Sequence, residues 1–271
     1  MFLISPGKRC IGIVERPDSR PAFRPSILPA LPLLIGLSGA LLSAGPALAQ
    51  YGTPNEEAKI IIHVVPVTSM SGRACSSNKA QAPCDQMVTN GKVNEYYYGF
   101  VCVVDGKRDA GIAGVTFGVK FNRTPRSGVD ISEWTRCGTL EFPTTSGGRR
   151  DWYNVSNGGN LVTWDPQNAC QTTEPSGSGT GVTAVAGYFY LTAYSADRLE
   201  IVPRPADNQA AVADCTSILS IVAGPGAPIH TKPYVGTVEF SADGSVVGSN
   251  PCGLAHPVVG KTWTGVKQSG R

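Results

Sequence analysis

The stretch VAGYFYLTAY, residues 185–194, constrains the chain most, because at period two neither of its faces is plainly polar. One face carries Val185, Gly187, Phe189, Leu191 and Ala193, and the other Ala186, Tyr188, Tyr190, Thr192 and Tyr194. Successive side chains of a strand point to opposite faces, so the first set can line a core. The tyrosine row then either packs beneath another layer or meets a ligand.

Nearly every patterned segment elsewhere also reads as strand. Residues 60–65 (IIIHVV) form a continuous apolar run, suited to a strand buried on both faces, and 96–104 (YYYGFVCVV) is aromatic and β-branched. Val115, Phe117, Val119 and Phe121 alternate with Thr116, Gly118, Lys120 and Asn122, as a strand with one buried face does. Further strands are expected at 129–134, 161–164, 182–194, 199–202 and 235–240, the last followed by Ala242-Asp243-Gly244 and a return strand at 245–247. Only 206–222 also fits helical spacing. Gly (32) and Pro (21) cluster between the runs, as short-strand folds require. The fold class expected is all-β, an antiparallel β-sandwich of the jelly-roll type, tied by disulfides.

Residues 1–26 carry Lys8, Arg9, Arg16, Arg20 and Arg24, and an apolar stretch from Ile27 ends in Ala47-Leu48-Ala49. These are the marks of a signal peptide over 1–49, and Pro29, Pro32 and Pro46 argue against a membrane anchor. Residues 50–205 are expected to form the sandwich, with 206–271 as a terminal cysteine-tied hairpin segment of the same domain. The leader holds 5 of the 23 basic and 2 of the 20 acidic side chains, which leaves 18 of each in residues 50–271. That balance speaks against a nucleic-acid partner, and removal of the leader leaves no membrane segment. The chain is placed outside the cytoplasm: secreted, at the cell surface or in the periplasm.

Seven cysteines follow the leader, and in an exported protein they read as disulfides. Trp134-x-x-Cys137 and Trp164-x5-Cys170 suggest a Cys137–Cys170 bridge, position suggests Cys215–Cys252, and a short polar loop suggests Cys75–Cys84. Cys102, within an apolar strand, is left as the odd thiol.

The segments Gly111–Val119, Trp134–Cys137, Val162–Asp165, Cys170-Gln171, Val185–Tyr190, Val212–Cys215 and Asn250–Cys252 resemble a group of bacterial secreted proteins. Their fold is similar to the cohesin and carbohydrate-binding-module type of sandwich. The resemblance implies a cohesin-like fold and an extracellular setting, and it brings no catalytic residue.

No cofactor is expected and no metal. HExxH and GxSxG are absent, and His63, within IIIHVV, reads as a satisfied strand histidine. Asp105 and Asp109 share a loop, but their spacing is not that of a calcium loop. Asp130, Glu133, Glu141, Asp151, Asp165 and Glu174 could in principle supply a glycosidase pair, yet nothing in the sequence selects two of them. The chain is therefore read as non-catalytic. The function expected is a binding module for a glycan or a cell-surface protein, through Tyr188, Tyr190, Tyr194 and the pair Trp152-Tyr153, which lies in the polar stretch GGRRDWYNVSNGG. The alternative is a structural or assembly protein of the cell surface or of an extracellular fibre.

Overall fold

A computed structural model describes residues 52–68, 75–144, 151–155, 158–175, 181–229 and 234–253. The leader, His230, His256 and most of the Gly/Ser-rich loop at 175–181 lie outside the described residues.

Two sheets carry the chain, and among the described residues there is no α-helix. The smaller sheet has the order β1 (Lys59–Pro66), β3 (Tyr96–Gly106), β8 (Val182–Ala193), β5 (Val129–Arg136), every neighbour antiparallel. The larger sheet is organised around β4 (Gly114–Lys120). One edge of β4 pairs with β7 (Gly159–Thr163), which in turn pairs with the two-residue β6 (Leu140–Glu141). The other edge pairs first with β10 (Ala210–Ala213), flanked by β11 (Leu219–Ala223), and then with β9 (Asp197–Val202). Beyond β9 come β12 (Thr237–Ser241) and β2 (Asn90–Lys92), the last pair parallel.

The alternation read from the sequence places the main core between the sheets. Ile60, Ile62, Val101, Val103, Phe189 and Leu191 meet Val115, Phe117, Val119, Leu199, Ile201, Val238 and Phe240 there. Each such side chain contributes roughly 1.5 to 3 kcal/mol when wholly removed from water. One bulge revises the period-two reading of 185–194. Val101 lies opposite Gly187 and Cys102 opposite Val185, so the face changes between Val185 and Tyr188. Val185 therefore shares the tyrosine face, while Ala186 turns to the main core with Phe189. Gly187 lies under Trp134, whose ring a Cβ at that position would overlap.

The outer face of the smaller sheet is apolar as well. Ile61, Val65, Tyr98, Phe100, Cys102, Val104, Val185 and Tyr188 form a second core with Ala80, Cys84 and Met87. The segment 75–89 thus lies over this face as a cover. Cys75–Cys137 ties it to the end of β5, and Cys84–Cys252 ties it to the chain's last described turn. The third bridge, Cys170–Cys215, sits beside the isolated Ile112–Gln171 pairing near the start of β4. The bridges span 62, 168 and 45 residues, and chain entropy assigns about 4 to 5 kcal/mol to each.

These pairings correct all three expected from the sequence, Cys137–Cys170, Cys215–Cys252 and Cys75–Cys84. Trp134 and Trp164 both pack on the main core, but from different sheets. Cys137 emerges at the outer face of the smaller sheet, whereas Cys170 lies against Ile112 beside the larger one. Similar spacing from a tryptophan did not mean proximity. Cys102 is the free thiol, fully buried. Two further corrections concern the C-terminal third. Residues 206–222 form no helix but the β10–β11 hairpin, and 245–247 form no strand, since Ser245 is held by Asp243 and the Val246 N–H by the Ser241 hydroxyl.

Candidate functional site

The tyrosine row runs out from under the cover. At its closed end Tyr98 and Tyr188 are buried and meet edge-on with centroids 5.6 Å apart, and Phe100 packs on Tyr188 at 5.4 Å. Tyr190 follows, half-buried and 5.8 Å from Tyr98. Next, Tyr96 lies nearly parallel to Tyr190, 5.6 Å away and 11° from coplanar, and is 53 % exposed. Tyr194, 42 % exposed, lies just past the end of β8. The register places Glu133 opposite Tyr190 and Asp130 opposite Thr192, so both carboxylates share the strand face of the open end. Thr192 is fixed there by donating its hydroxyl to the Glu95 carbonyl at 2.7 Å.

Of the residues expected to bind, Tyr190 and Tyr194 are therefore accessible, and Tyr96 stacks on the first of them. Tyr188 does not; it is 7 % exposed beneath the cover. Tyr96 was legible as one of the alternating set Tyr96, Tyr98 and Phe100, but only the β3–β8 register shows that it stacks on Tyr190.

Trp152 and Tyr153 need correction. They form a short 3₁₀ turn with the residue that follows, Trp152–Asn154, and both rings point inward, 1 % and 4 % exposed. Trp152 meets Phe117 at 5.7 Å and Trp134 at 5.5 Å, and Tyr153 meets Phe189 at 5.6 Å. Burial, helped by Asp151, Glu133 and Asp130, pushes the Tyr153 hydroxyl up to about 12. The polar flanks identify a loop, but that loop drives its aromatic centre into the sandwich. Neither ring is available to a ligand.

Three of the other polar candidates are used structurally. Asp105 pairs with the buried Lys59 and so does not converge on a shared ion with Asp109. Glu141 accepts from the Trp134 indole at 2.8 Å and the Asn160 amide at 3.0 Å. Asp165 caps its own turn, its carboxyl held low by the Asn168 side chain and by the Gln167 and Asn168 backbone N–H groups. Among the described residues no three His, Cys, Asp or Glu side chains converge as a metal cluster would.

His63 clasps the cover to β1. The Val88 backbone N–H donates to Nδ1 at 2.8 Å, which makes Nδ1 the acceptor, and Nε2 donates to the Lys79 carbonyl at 2.9 Å. Burial lowers its pKa below the ordinary 6.5, outweighing the hydrogen bond to the Lys79 carbonyl. The ring is read from both sides by fixed backbone groups, and a second proton at Nδ1 would face a donor.

No protein-family model and no curated protein matches the chain. Solved structures with similarity include a cohesin module from a family 33 glycoside hydrolase of Clostridium perfringens, 9 % identical with a TM-score of 0.32, covering 55 % of this chain and 87 % of that one. A type II cohesin domain from the cellulosome of Acetivibrio cellulolyticus is 10 % identical with a TM-score of 0.34, covering 66 % and 94 %. The class defined by this chain's own strand order is a disulfide-tied, all-β sandwich with a second, covered core.

Two outcomes follow. Trp152→Ala should destabilise the protein by about 3 to 5 kcal/mol, read as a lower urea midpoint; an unchanged midpoint would place the ring outside the core. His63 has a depressed folded pKa, so its contribution is full above about pH 6.5 and shrinks as pH falls towards the lowered value. Between about pH 7 and pH 5 the wild-type melting temperature should therefore drop more than that of His63→Gln. Equal slopes would remove His63 as the cause.

Proposed function

We propose that the chain is an exported, non-catalytic binding module whose contact surface is the open end of the tyrosine row. The observation that carries this reading is the set Tyr96, Tyr190 and Tyr194, presented on a rigid sheet beside Glu133 and Asp130. Rings with polar tips suit a half-wet surface, and the apolar C–H face of a sugar stacks on such rings while carboxylates accept its hydroxyls. A glycan is the ligand class this chemistry fits. Export, with the leader 1–49 removed and residues 50–271 acting as one domain, is supported by the leader pattern and by three disulfides, which persist in oxidising compartments.

The test is a glycan array probed with residues 50–271 and with the Tyr96→Ala/Tyr194→Ala variant. Both rings are largely exposed, so the variant should melt within a few degrees of the parent. It should lose at least tenfold in affinity, about 1.4 kcal/mol, for whichever glycan the parent retains. Undiminished binding by the variant would refute this surface, and an array on which the parent binds nothing would refute the glycan reading.

A further inference from the structure

Sheet edges present unpaired backbone groups, and natural proteins protect them with charges, prolines, bulges or very short strands. The edge strand β5 follows that practice: it carries Asp130, Glu133 and Arg136 and a bulge between Ile131 and Glu133. On the larger sheet β6 has two residues, and β2 has three, one of them Lys92. Of the remaining edges, β1 exchanges backbone bonds with Tyr234, Gly236 and Val88, while β11 has neither charge nor proline, and its one bulge, at Val222, lies beyond Leu219 and Ile221. From Cys215 to Ile229 the sequence holds no charged residue, and β11 itself holds no proline.

The direction of the open groups follows from the hairpin. Asp214 donates its backbone N–H to Ile218 O at 3.0 Å, which makes Ile218 a hydrogen-bonded position facing β10. Along an antiparallel ladder such positions alternate, so Ser220 also faces β10, while Leu219 and Ile221 turn their N–H and C=O groups outward. Among the described residues nothing accepts or donates to them. The side chains at these two positions lie on the outer face of the sheet, with Leu219 46 % exposed and Ile221 half-buried. Ile218, just before the strand, is 45 % exposed. Apolar surface thus continues from the edge on to the sheet. The register sets Leu219, Ala213, Gly114, Thr163 and Leu140 in one row across four strand pairings.

We propose that β11 is a self-association edge that pairs antiparallel with β11 of a second copy of this chain. With Ser220 at the two-fold axis, Leu219 lies opposite Ile221 of the second copy, and the reverse. The outward N–H and C=O groups of both residues are then satisfied in one register, and each exposed leucine finds an apolar neighbour. A second copy is the occupant that the charges favour. The segment has no charge with which to select a foreign partner or to repel itself, and residues 50–271 carry equal numbers of acidic and basic side chains, so copies meet without net repulsion. This surface is separate from the tyrosine end on the smaller sheet, and it would give the assembly alternative a place in the fold.

Sedimentation velocity of residues 50–271 from low to high micromolar concentration tests the proposal. A reversible monomer–dimer equilibrium is expected. Leu219→Lys/Ile221→Lys should weaken it at least tenfold with near-ultraviolet circular dichroism unchanged. Val246→Lys, at an exposed site away from β11, should leave it as it was. A monomer at every concentration overturns the proposal, and so does a dimer that the lysines at 219 and 221 do not weaken. Should that double variant fail to fold, Leu219→Pro replaces it. This change removes an outward N–H and the exposed leucine side chain but no donor to β10, so a dimer that survives it is equally contradictory.

Discussion

A four-stranded sheet that is apolar on both faces cannot leave either face to water, and the rest of this structure follows from meeting that condition. The larger sheet covers one side by ordinary sandwich packing. The other side carries Ile61, Tyr98, Phe100 and Tyr188, far too much apolar and aromatic surface to leave open, yet the segment over it has little regular structure of its own. A segment such as 75–89 orders at a high entropic cost per residue. Two disulfides offset that cost by reducing the freedom of the unfolded chain, and His63 adds backbone hydrogen bonds at the centre.

The same arrangement decides which part of the tyrosine row can act. Rings beneath the cover hold the second core together, and rings beyond its rim stay exposed. Tyr190 stands at the boundary, stacked on the exposed Tyr96 and touching the buried Tyr98. The proposed contact surface has its inner edge fixed by a packed core, which would limit the freedom lost on binding. The site and the fold share residues: a ligand at the open end would rest on the row whose other end is structural.

Sequence periodicity was enough for the all-β class, for most strands, and for the burial of residues 60–65 on both faces. What it could not supply was any relation between distant segments. Cys84 and Cys252 lie 168 residues apart, and no local pattern at either one points to the other. Of the two readings of the tyrosine row, packing beneath another layer holds for Tyr188, while Tyr194 stays exposed, because the division depends on where a separate segment lands. Trp152 and Tyr153 misled for a related reason. Composition located a polar loop, but the direction its rings take depends on the space between Phe117, Trp134 and Phe189. The helical alternative for 206–222 failed because β4 offers an open edge that the short apolar run 210–213 can complete.

The central claim is that the segment 75–89 is a cover, held by its bridges, over an otherwise exposed second core. Cys102 reports on it directly. The thiol lies beneath Ala80, with its Sγ 3.5 Å from the Ala80 carbonyl, and complete burial raises its pKa. The decisive measurement is the rate at which iodoacetamide labels Cys102 in residues 50–271, native and with Cys84→Ser/Cys252→Ser. The account predicts protection in the native protein and faster labelling, by at least tenfold, in the variant while its far-ultraviolet circular dichroism remains that of a β protein. Fast labelling of the native protein, or equal slow rates in both, would contradict it.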